Sequence, residues 1–320
     1  MTVVTEQGGR TPDEKQHQHR RRPQLHTCNV DRAGLRYGQR VAKTKKLFAA
    51  LTRRGPHRVL RGDLAFAGQP GVVYTPESGL NLPGIAFGHD WLTSAGRYAG
   101  TLEHLASWGI VAAAPDTERS LAPSVLNLAF DLGTTLDIIS GVRLGPGKIS
   151  VHPTKLGLVG HGFGGSAAVF AAAGLGSRLK AVAALYPAVS SPPAEQPAAS
   201  LKSSGLILRA PADGTAIRSN ADALARAWPA AILRTVHKAE PGGLIEGRRL
   251  AKAFGLPGAD RGTQKVTRAL LTGYLLYVLA GDKTYREFAD PEVVLPKTAG
   301  PVPDAEQSTL EDKVAALLKG

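Results

Sequence analysis

KLGLVGHGFGGSAAVFAAAG, residues 155–174, is the stretch that decides the fold. The apolar run LGLVG reads as a short buried strand, and the alanine-rich segment from Gly164 onward reads as a helix. They are joined by a glycine-dense turn, with glycines at 160, 162, 164 and 165 around His161 and Phe163. Strand, tight glycine turn and helix in immediate succession form one βα unit, and small residues at the turn indicate backbone lying close to neighbouring elements.

The same alternation extends outward in both directions. Short apolar runs predict strands at 71–75, 84–88, 110–115, 156–160, 181–187, 205–210 and 231–236. Helical patterns separate them at 94–109, 124–141, 164–175 and 216–228, and two more follow at 264–281 and 308–319. This order predicts an α/β fold with a mostly parallel sheet covered by helices on both faces. The Pro/Ser/Ala-rich stretch 190–205 is too short and too poor in apolar residues to fold as a cap domain.

Composition narrows the function classes. With 320 residues and 43% hydrophobic content the chain can bury a full core. Its single cysteine, Cys28, cannot form an internal disulfide. The arginine triplet at 20–22 is followed by no apolar h-region, and the longest apolar run, 269–280, is about half a membrane span, so a cytoplasmic protein is expected. The net charge of +13 is lopsided: residues 1–62 hold 15 Lys/Arg against 4 Asp/Glu. A basic extension over 1–61 therefore precedes an expected folded domain over 62–320. Residues 31–54 can be drawn as an amphipathic helix, centred on 33–54, with Tyr37, Val41, Thr44, Phe48 and Leu51 down one side. That face can dock on the body, lie at an anionic inner-membrane surface or grip an acidic protein. Specific nucleic-acid recognition lacks the aromatic residues and motifs it needs.

The strand–turn–helix at 156–174, together with GHDW at 88–91, resembles the α/β-hydrolase fold, and within it the uncapped dienelactone hydrolases and cutinase-like esterases. The resemblance covers roughly Gly62 to Asp290. The Ala, Gly, Arg and Pro richness also resembles actinobacterial members of that group. It implies a serine at the centre of Gly-x-Ser-x-Gly, an acid after the sixth predicted strand and a histidine after the last. The corresponding positions are Gly162, Asp213 and Pro241. Neither glycine nor proline can serve as nucleophile or base, so the resemblance combined with these residues predicts a catalytically disabled member acting as a binding scaffold. Ser166 and His237 are the substitutes that an active ester or lactone hydrolase would have to use, with a water activated by Asp213 as the remaining route. The resemblance further implies an oxyanion hole from the Phe163 N–H and the Asp90–Trp91 neighbourhood, beside His161, open to a small carbonyl or acyl ligand. GHGFGG lacks the Walker lysine, and no histidines stand at metal-ligand spacing, so no cofactor or metal is expected.

Overall fold

The computed structural model describes residues 41–214, 218–247 and 258–299. Eight strands form one sheet: β1 (Val59–Asp63), β2 (Gly71–Pro76), β3 (Gly79–Gly88), β4 (Val111–Pro115), β5 (Ile149–His161), β6 (Leu179–Leu185), β7 (Ser204–Arg209) and β8 (Ala231–Thr235). Their order is β1-β2-β4-β3-β5-β6-β7-β8, with the β1–β2 and β2–β4 pairings antiparallel and every other pairing parallel. This is the α/β-hydrolase architecture. Helices are α1 (41–51), α2 (Ala99–Ser107), α3 (Val125–Gly141), α4 (Phe163–Leu175), α5 (Glu195–Ala198), α6 (Ala221–Ala227) and α7 (Arg261–Val278). Between β6 and β7 lies α5 alone, without a cap domain.

Strand alternation divides the core into two layers. Ile85 and Phe87 of β3 face α1, α2 and α7, whereas Ala86 faces the layer built by α3, α4, α5 and α6. Ser124 starts α3 by accepting the Asn127 N–H, and Asp260 starts α7 by accepting that of Thr263, so both long helices begin on side-chain caps. All seven strands expected from the sequence are present. β1 was not foreseen: VLRGD is half exposed and lacks the apolar run that identifies the others.

The expected domain boundary at residue 62 falls inside β1, and among the described residues the compact body takes in α1 from Lys43 onward. Within α1, Thr44, Phe48 and Leu51 are buried, and Phe48 and Leu51 belong to the core layer beside α2 and α7. Tyr37 lies outside the described residues, as does the helix expected at 308–319. The end of α1 is tied to α2: the Trp108 indole donates to the Arg53 carbonyl, and the Gly55 N–H donates to Ser107 Oγ. Among the described residues no helix is long and apolar enough to cross a membrane.

Candidate active site

The carboxyl ends of β3, β4, β5, β6 and β7 lie side by side, and their loops form the site. β5 ends in Gly160 and His161, α4 begins at Phe163, and Gly162 between them has φ +53° and ψ −117°. Reversal from strand to helix within one residue requires this strained conformation. The neighbouring glycines are dictated by contact. A Cβ on Gly160 would strike the Gly164 carbonyl, and one on Gly164 would strike that of Gly88 on β3.

Over the turn lies the loop following β3. The Oδ1 of Asp90 accepts the Phe163 N–H at 2.9 Å. A Cβ on Gly162 would overlap Oδ1 and Cγ of that same carboxylate. Asp90 therefore fills the volume a nucleophilic side chain would need and occupies a backbone donor at the start of α4. It is held from behind: its own N–H donates to Tyr98 Oη at 3.1 Å, and that hydroxyl lies 2.8 Å from Nδ1 of buried His161. Tyr98 Oη therefore bridges the Asp90 backbone and the His161 ring. Phe87, Tyr98, His161 and Tyr186 follow one another in tilted and edge-on contacts beneath the elbow.

Residues 70–233, from the start of β2 into β8, match the Dienelactone hydrolase family. The chain belongs to that family. A search of curated proteins returned no match.

The remaining expected residues lie in the turns after β7 and β8. Asp213 lies in the turn after β7, buried, with Oδ2 accepting the Ala210 N–H at 2.8 Å. Pro241 opens a short 3-10 helix, Pro241–Leu244, after β8. The buried phenol of Tyr186 is hydrogen-bonded to Thr267 Oγ1 at 2.8 Å. Its acidity is pushed well down, first by burial and then by the Asp213 and Asp260 charges, against the opposing hydrogen bond from Thr267. Two carboxylates and a neutral phenol thus share the region beside the turn after β7.

The other residues marked out by the sequence are engaged in contacts of their own. Ser166 is fully buried within α4, and its hydroxyl donates to the Ala188 carbonyl at 2.5 Å, so it does not reach the pocket mouth. His237 is exposed and its N–H donates to the Lys297 carbonyl, which ties this residue to the C-terminal segment. The Phe163 donor is filled by Asp90, and the Asp90 N–H is directed at Tyr98, so neither offers an open oxyanion hole. Trp91 is a rim residue: its indole donates to the Leu121 carbonyl, and the Arg218 guanidinium lies 5.9 Å from its ring centre.

Sequence reading missed Tyr98, which carries no motif, and gave no role to His89 of GHDW. The ring nitrogens of buried His89 lie 3.0 Å from the Asp90 carbonyl and 2.7 Å from that of Thr117, which links the β3 and β4 loops. Next to Asp90, a cavity of about 450 Å³ is lined by Leu92, Thr93, Ser94, Arg97 and Arg119. Its shape is fixed by Asp116, which accepts the Ala95 N–H at 2.9 Å and pairs with Arg119 at 3.3 Å. Among the described residues no cluster of side chains could hold a metal ion.

Proposed function

We propose that this dienelactone hydrolase family member binds a small carboxylate-bearing molecule without hydrolysing it. The observation that carries the reading is the Asp90 carboxylate lodged against Gly162 with the Phe163 N–H donated to it. Acyl transfer needs a nucleophilic atom, a base to take its proton and donors for the developing oxyanion. Gly162 supplies no such atom and Pro241 supplies no base. A resident carboxylate at the turn also opposes negative charge developing there. Binding remains available in the adjacent cavity, whose volume suits a small ligand. Arg97 and Arg119 offer planar guanidinium donors matched to a carboxylate, Thr93 and Ser94 add hydroxyls, and Leu92 gives an apolar wall.

Hydrolysis of short-chain p-nitrophenyl esters tests the first half. The native protein is expected to be inert, and Gly162→Ser with Pro241→His is expected to stay nearly inert while Asp90 fills the serine's place. Adding Asp90→Ala to that pair should release turnover. Turnover by the native protein, whether or not Asp90→Ala abolishes it, refutes the non-hydrolytic reading. For the second half, calorimetric titration with benzoate should show binding that Arg119→Gln weakens at least tenfold, and equal affinity in both proteins refutes the proposed cavity.

A further inference from the structure

The turn that brings Leu92 to the cavity is strained. The Asp90 carbonyl accepts the Thr93 N–H at 3.2 Å, which closes a β-turn over residues 90–93 with Leu92 in its third position. Leu92 has φ +52° there, a left-handed backbone that favours glycine or asparagine because the Cβ of other residues crowds the chain. Glu118 and Tyr186, in the loops after β4 and β6, share that conformation, and each has local compensation. The Glu118 carboxylate accepts from the Ser124 N–H and the Asn127 amide, and the Tyr186 ring is buried against His161 with its hydroxyl bonded to Thr267. Leu92 has neither: its side chain forms no hydrogen bond, and the residue is 45% exposed. It lines the cavity instead. The turn is also held firmly. The Trp91 carbonyl accepts from Thr93 Oγ1 at 3.1 Å, the Trp91 indole donates to the Leu121 carbonyl, and His89 Nδ1 lies 3.0 Å from the Asp90 carbonyl.

We infer that Leu92 is the specificity-determining residue of the cavity, packing on the apolar body of the ligand while Arg119 holds its carboxylate. The inference rests on the binding reading above and narrows the ligand class to carboxylates with an aryl or branched-alkyl body. Strain kept at a half-exposed leucine points to a contact that the unliganded protein does not make. Glycine at 92 would relax the turn, but it would remove the one apolar residue of the lining, since Thr93, Ser94, Arg97 and Arg119 are polar. A cavity without Leu92 would recognise the acid group alone. With Leu92 in place, an aryl ring laid on its exposed side takes apolar area of both partners out of water. Because the turn already fixes Leu92, that contact requires no ordering of the loop when the ligand arrives.

Calorimetric titration of the full chain with benzoate and with acetate tests this. The native protein should bind benzoate at least tenfold more tightly than acetate. Leu92→Gly and Leu92→Ala should each weaken benzoate at least tenfold and leave acetate within about twofold, whereas Leu92→Met, which keeps an apolar side chain of similar volume, should retain benzoate affinity. Thermal midpoints check the strain separately. At an ordinary turn position alanine is more stabilising than glycine, but at φ +52° Leu92→Gly should melt above Leu92→Ala. The reverse order removes the strain on which the inference stands and overturns it. Benzoate binding that keeps its dependence on Arg119 but is unchanged in Leu92→Ala overturns the inference and leaves the binding reading in place. Equal losses of benzoate and acetate in both variants also overturn it, because the ligand would then need the turn and not the side chain. A native chain that binds neither acid overturns the inference together with the binding reading.

Discussion

Gly162 and Asp90 form a coupled pair. The turn requires φ +53° at Gly162, and the space a side chain would enter there holds the Asp90 carboxylate. Gly162→Ala is therefore expected to cost about 1–3 kcal/mol in urea unfolding, part from backbone strain and part from displacing Asp90. The second part should vanish in an Asp90→Ala background. A double-mutant cycle with no coupling would show that the two residues do not compete for that volume. Ser166 stands in contrast. Its buried hydroxyl satisfies the Ala188 carbonyl, so Ser166→Ala should cost about 1–2 kcal/mol while leaving ester turnover unchanged.

At the scale of elements, α2 is held at both ends. At its start, Glu246 accepts the N–H groups of Gly100 at 2.9 Å and Thr101 at 3.1 Å and pairs with Arg268 at 2.7 Å, so a carboxylate meets the positive end of the helix. Glu246→Ala should lower stability by about 2 kcal/mol, because Arg268 is then left half-buried without its partner. At the other end, His104 bonds to the Leu51 backbone at the close of α1. Burial, and then the Arg268 charge, depress its pKa from 6.5 to about 4, against the opposing pull of the Leu51 hydrogen bond. The folded chain thus binds fewer protons than the unfolded chain between those two values. The stability gained from a neutral His104 is full above about pH 6.5 and is lost as pH falls toward 4. His104→Gln should flatten that slope, read as thermal midpoint against pH, and an unchanged slope would assign it to other groups.

For the whole molecule, the question is where the body begins. Phe48 and Leu51 of α1 lie in the core layer with α2 and α7. Removing residues 1–54 takes out two buried side chains worth about 1.5–3 kcal/mol each, so that truncation should melt well below one lacking residues 1–40. Equal melting would mean that α1 adds nothing to the core. Thr44, Phe48 and Leu51 of the expected stripe are turned into the body, whereas Val41 is exposed and Tyr37 lies outside the described residues.

The order of elements and the strained turn were written in the sequence by itself, because strand periodicity and glycine spacing are local properties that backbone sterics impose on any fold. That residue 162 carries no side chain was equally legible. Tertiary structure alone decided what stands in its place. Asp90 is 72 residues away along the chain, on a loop whose direction is set by Tyr98, by Asp116 and by the tie from His89 to Thr117, and no periodicity encodes where a carboxylate so placed will point. The same holds for β1 and α1. Their side chains are only half apolar, and what makes them part of the body is contact with β2 and α2, which folding creates.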